Sequence, residues 1–223
     1  MVDATSSAPD RGCSGVCSSA MSEESRAGSW SSADSADLYG IDAWGRGYFA
    51  VSPHGRLLVR PNGAGEEEID LLEVVEGLGE RDLSPPLLIR FSDILAHRLA
   101  TLREAFAGAI AENGYRGQYL AAYPIKVNQQ RPVVEEVFRY GTEYDFGLEV
   151  GSKPELLAVM ALTGGASERL IVCNGFKDAR FIEMAMLAQK MGRQVIPVVE
   201  KYSDLDLNMR LADEEGVRPQ LGM

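Results

Sequence analysis

Gln118-Tyr119-Leu120-Ala121-Ala122-Tyr123-Pro124-Ile125-Lys126-Val127-Asn128-Gln129 is the stretch on which the reading of this chain turns. An apolar run ends on a lysine, and a turn and a helical pattern follow directly. Strand alternation puts Leu120, Ala122, Pro124 and Lys126 on one face and Tyr119, Ala121, Tyr123 and Ile125 on the other. Above Leu120 the lysine face is built from compact residues, which leaves room for a planar group beside the amine. Pro124 has no N–H to donate, so the regular ladder should fail near it. A partly desolvated lysine can lose its proton near neutral pH and attack a carbonyl, forming a Schiff base. Most strand-end lysines are merely solvated; what surrounds this one decides otherwise.

Outward from Lys126 the chain alternates strand and helix. Upstream, Leu87–Phe91 reads as a strand, and Ser92 as the cap of a helix that runs to about Asn113 and stops at Gly114. Strand 118–125 follows, then a helix from Pro132 to Tyr140. Strand 144–150 leads into Ser152-Lys-Pro-Glu155, a capping box with proline in the first turn. Strand 169–173, helix 178–191, strand 194–200 and helix 203–215 come next, and a further strand begins at Pro219–Met223. Strands separated by helices imply a parallel sheet with right-handed crossovers. The expected class is α/β: the N-terminal portion, about half, of a (β/α)8 barrel, in which chemistry sits at the C-terminal strand ends. The chain ends inside a strand pattern, so it reads as part of a longer enzyme.

Three regions are expected. Residues 1–37 are rich in Ser, Ala, Gly and Asp and too poor in large apolar residues to fix a structure. Residues 38–84 hold a β-hairpin, Tyr48–Val51 and Arg56–Val59 around Ser52-Pro-His-Gly55, and a short helix over Ile69–Gly77. Residues 85–223 form the partial barrel.

Composition narrows function. A net charge of -11 argues against a nucleic-acid binder, which would show a basic face. No apolar run approaches a membrane span, and no apolar segment near the start resembles a secretory signal. Cys13 and Cys17 have no partner pair to complete a zinc site, and Cys173 reads as a small core residue. This usage fits a reducing cytoplasm. His54 and His97 lack metal-like neighbours, so no metal site is expected. Lys177 and Asp178 read as a solvated lysine and a helix start.

Three blocks carry a resemblance: Tyr123-Pro-Ile-Lys-Val-Asn-Gln129, Gly147-Leu-Glu-Val-Gly-Ser-Lys-Pro-Glu-Leu156 and Ile171-Val-Cys-Asn-Gly-Phe-Lys-Asp178. In order and spacing they resemble the biosynthetic arginine decarboxylase family, within the fold-type III pyridoxal-phosphate enzymes. The likeness runs from about Tyr39 to the last residue. Ornithine-type relatives carry Tyr-Ala-Val-Lys and Asp-x-Ala-Ser instead. The resemblance implies that Lys126 holds pyridoxal 5'-phosphate as a Schiff base. It implies conversion of L-arginine to agmatine and carbon dioxide for polyamine synthesis, a magnesium requirement, and homo-oligomers with shared active sites.

Three further residues join Lys126 as cofactor-site candidates. Glu149 matches an acidic position near the lysine in relatives and could hold its amine; as a carboxylate at a helix start it is also favoured by the dipole. Ser152 matches a family serine, although capping already explains it. Asn174, before Gly175 at the end of the third strand, lines the pocket or makes the turn. The family's glycine-rich phosphate loop, its ring-nitrogen carboxylate and its stacking histidine match nothing in the chain. Alternatives are a decarboxylase of ornithine, lysine or diaminopimelate, or a non-catalytic pyridoxal-phosphate-binding barrel.

Overall fold

The computed structural model describes residues 29–63, 67–164 and 168–223. Most of the N-terminal tail, with Cys13 and Cys17, lies outside these. Its last turns do not follow expectation. Helix α1 (Ser32–Leu38) is opened by a reciprocal cap: Ser31 Oγ accepts the Asp34 N–H, and Asp34 accepts the Ser31 N–H. Capping groups, not apolar content, hold this helix start. Helix α2 (Ile41–Gly45) follows.

The hairpin forms as expected. Strand β1 (Phe49–Val51) pairs antiparallel with β2 (Leu57–Val59), and Gly55 takes a left-handed φ of 78° in the turn. A two-residue strand β3 (Ile69–Asp70) adds to β2. Ile69 was expected to start a helix; instead Asp70 caps α3 (Leu71–Gly79) by accepting the Leu72 and Glu73 N–H groups.

Leu87–Phe91 is not a strand. It pairs with no strand among the described residues, and Leu88 is 74% exposed. An apolar run alone makes no strand without a ladder partner. The segment is an extended lead-in to α4 (Ser92–Glu112). Ser92 does not cap this helix; it is the first helical residue, and its hydroxyl donates to Glu136 Oε1 at 2.5 Å.

Beyond α4, strands and helices alternate: β4 (Ala122–Pro124), α5 (Arg131–Tyr140), β5 (Gly147–Val150), α6 (Lys153–Leu162), β6 (Ile171–Cys173), α7 (Ala179–Lys190), β7 (Val195–Pro197) and α8 (Tyr202–Glu215). The sheet is parallel, in the order β4-β5-β6-β7. A single parallel bridge, Val198 to Gly222, marks the start of a fifth strand where one was expected. Sequential neighbours in a parallel sheet are the pattern of a β/α barrel wall. The strands are shorter than their apolar runs, because the ladder extends only where a neighbour is in register.

The sheet has two unlike faces. Leu148, Val150, Ile171, Cys173 and Val195 point toward the helices and pack with Val134, Val137, Leu156, Val159 and Phe181, all buried. Each such side chain contributes roughly 1.5–3 kcal/mol by leaving water. The opposite face carries the register row Pro124, Glu149, Val172 and Ile196. Gly147 opens β5 on that face, where an added Cβ would lie 2.4 Å from the Leu170 carbonyl oxygen.

Candidate active site

The strands' C-terminal ends gather the site. The β4 ladder stops at Pro124, as its missing N–H requires, so Lys126 is not on the strand. It sits in a 3-10 turn over Ile125–Val127. Strand alternation therefore does not place Lys126, and Leu120 lies outside the ladder and is 50% exposed. What positions the amine is Ile125, 4% exposed and sunk in the core. Behind it, Asn128 Oδ1 accepts the Gln130 N–H at 3.1 Å.

Glu149 stands opposite Pro124 in the register. Lys126 Nζ lies 3.3 Å from Glu149 Oε1. The lysine side chain is 60% exposed and the carboxylate 15%. At that exposure the attraction is worth no more than about 1 kcal/mol, so the pair holds an open amine in place without sealing it.

Ser152 and Asn174 lie on the same rim, yet neither bonds Lys126 or Glu149 among the described residues. Ser152 caps α6: its Oγ accepts the Glu155 N–H at 3.4 Å, and Glu155 Oε2 accepts the Gly151 N–H at 2.6 Å. Asn174 shapes the turn after β6. Its backbone N–H donates to Val150 O at 3.0 Å, and its Oδ1 accepts the Gly175 N–H at 3.0 Å. Gly175 has φ 88°, which favours glycine at that position.

One expectation fails outright. Lys177 is not solvated; it is 3% exposed. Its ammonium donates to the Gly175 carbonyl and lies 3.8 Å from Glu200 Oε1, while Glu200 also accepts the Gly175 N–H at 2.7 Å. Lys177 and Glu200 thus tie the loops after β6 and β7 together. Nothing in Phe176-Lys177-Asp178 signals that burial. Asp178 does open α7, accepting the Phe181 N–H at 2.9 Å, and its contact with Lys153 at 2.5 Å holds its carboxyl below the usual range. Cys173 is fully buried, as expected, and burial pushes its thiol up to about 12. His54 falls in the hairpin turn, and His97 Nδ1 is 2.6 Å from the Tyr48 hydroxyl. Among the described residues no cluster of three or more His, Cys, Asp or Glu could hold a metal ion, and no helix is long and apolar enough to cross a membrane. A cavity of about 780 Å³ lies at the other end of the strands, lined by Gln118, Arg169, Arg193 and Arg218.

A parallel β/α wall with an amine and a carboxylate together at its strand ends places both groups where β/α-barrel enzymes keep their chemistry. Residues 98–218 match the profile of the pyridoxal-dependent decarboxylase pyridoxal binding domain, and the chain belongs to that family. It is 48% identical over 194 residues to a biosynthetic arginine decarboxylase of Rhodopirellula baltica, covering 87% of this chain and 29% of that protein. A second, from Gloeobacter violaceus, is 48% identical over 196 residues, covering 87% and 30%. The crystal structure of the biosynthetic arginine decarboxylase SpeA from Campylobacter jejuni superposes with a TM-score of 0.72 at 32% identity, covering 82% of this chain and 30% of that one. The chain thus spans just under a third of the length of the curated relatives it matches.

Proposed function

We propose that this chain supplies the cofactor lysine and the first part of the barrel of an arginine decarboxylase, which converts L-arginine to agmatine and carbon dioxide in polyamine synthesis. The observation that carries the reading is the Lys126–Glu149 contact at the strand ends of a pyridoxal-binding domain. The residues present suit pyridoxal 5'-phosphate: an open primary amine for its aldehyde, and a sheltered carboxylate beside that amine. When bound, the cofactor supplies an electron sink for loss of the α-carboxylate.

Lys126 Nζ must shed a proton before it can attack a carbonyl carbon. Glu149 Oε1, at 3.3 Å, is the base in reach. Returned to a charged amine, that proton is again stabilised by the same carboxylate. Asn174 lines the rim from the next strand end, and Ser152 fixes the helix start behind Glu149. In this reading the tail, the hairpin segment and the barrel segment are separate regions of a cytoplasmic homo-oligomer. Magnesium belongs to the reading as a requirement of the assembled enzyme.

The test is a chimera in which this chain replaces the matching segment of the Rhodopirellula baltica relative. Borohydride reduction of the loaded protein followed by peptide mapping should label Lys126, and Lys126→Ala should lose most turnover. Arginine should be preferred over ornithine, lysine and diaminopimelate. A label on another lysine would overturn the site; agmatine formation no faster than product from the other three would overturn the substrate.

A further inference from the structure

We infer that Glu155 is a positioning residue for the Lys126–Glu149 pair, fixing the turn that carries the amine against the strand end that carries the carboxylate. The inference rests on the reading of Lys126 as the cofactor lysine. Glu155 stands in the first turn of α6, and its two carboxylate oxygens have different partners. Oε2 accepts the Gly151 N–H at 2.6 Å, two residues past Glu149. Oε1 accepts from Gln129 Nε2 at 2.6 Å, three residues past Lys126.

The first contact holds the turn just before the α6 cap residue Ser152, and it does not require the second. The second crosses from the loop after β4 to the first turn of α6, the helix that follows β5. Both are short bonds to an ionised acceptor, the stronger kind. The chain between Lys126 and Gln129 has little slack to absorb a shift. Ile125 is locked in the core, Asn128 Oδ1 holds the Gln130 N–H, and the Tyr123 hydroxyl donates to Asn128 O at 3.5 Å. Freed from Glu155, Gln129 would carry the lysine turn away from β5. A misplacement of about 1 Å at a reacting group can cost on the order of a hundredfold in rate.

The experiment uses the loaded chimera with Gln129→Glu, Glu155→Ala, and the reciprocal pair Gln129→Glu with Glu155→Gln. The reciprocal pair reverses the bond: a carboxylate at 129 accepts from the carboxamide at 155, whose oxygen still accepts from Gly151. Each single variant should lower kcat about tenfold or more while KM stays within about threefold. At full cofactor occupancy each should also lose most of the cofactor's visible circular dichroism, which reports a fixed orientation on Lys126. The reciprocal pair should restore both signals to within about threefold of wild type. Should these variants fail to fold, Gln129→Ala leaves the Glu155–Gly151 bond intact and is expected to show the same loss. Unchanged kcat and dichroism in the single variants, or a reciprocal pair no better than either single, overturns the role of Glu155. Wild-type chimera that takes no label on Lys126 overturns the reading of the site, and this inference with it.

Discussion

Gly147→Ala probes how the β5–β6 junction sets Glu149. The new Cβ would lie 2.4 Å from Leu170 O and 2.9 Å from Leu170 Cβ, whereas ordinary contact begins at 3.4 Å. Backbone must therefore give by about 1 Å, from 2.4 to 3.4 Å. Leu170 O is also the acceptor of the Leu148 N–H at 2.9 Å, so the same shift stretches that bond out of range. Overpacking costs about 1–3 kcal/mol and the lost hydrogen bond about 1 more, for a total of roughly 2–4 kcal/mol. At about 2–4 °C per kcal/mol for a chain of this size, melting should fall by roughly 5–15 °C. Glu149 lies two residues along the displaced strand, so the yield of borohydride-labelled Lys126 should fall with it. Scanning calorimetry on the chain and peptide mapping on the loaded chimera measure the two effects. A variant that melts within about 2 °C of wild type, less than 1 kcal/mol would produce, would refute the crowding argument.

Two other outcomes are expected. Cys173, with its thiol pushed up to about 12, should resist iodoacetamide at pH 8 in the native chain and react fully in urea, as peptide mapping will show. The folded chain keeps that proton where the unfolded thiol, near 9, gives it up, so this group's stabilisation is lost as pH rises from about 9 to about 12. Rapid native labelling of Cys173 would contradict its burial. Lys177→Met should destabilise by about 1.5–3 kcal/mol, because the Gly175 carbonyl loses a buried charged donor. A urea midpoint unchanged from wild type would show that the Lys177 contact is idle.

The order of strands and helices was legible because each apolar run is closed by a strong local signal. Gly141 follows α5, Asp178 opens α7, and the Ser152 cap opens α6. Strand lengths were not legible, since a ladder needs a partner and the partner is set by the fold. That is why Leu87–Phe91 keeps an extended path without pairing, and why residues 118–121 fall outside β4. Helix α1 was hidden by composition, although Ser31 and Asp34 carried its capping signal. At the site, Lys126 stood out through its neighbours, and the Pro124 break was foreseen from one missing N–H. The consequence of that break, a turn in place of a strand end, was not. Burial of Lys177 depends on Gly175 and Glu200 meeting across two loops, which no local spacing encodes.

The rim contacts share one further property. Gln129 reaches Glu155 across 26 residues, Lys153 reaches Asp178 across 25, and Gly175 reaches Glu200 across 25. Each tie spans one strand–helix period and joins a unit only to the next. Closing such short loops is entropically cheap, and contacts of short sequence range form early. During synthesis from the N-terminus the rim can be laid down in sequence, each unit secured once its successor has left the ribosome. The amine and its carboxylate can meet as soon as the segment through Glu155 has folded. An insertion in one unit should disturb its own two ties and leave the others in register.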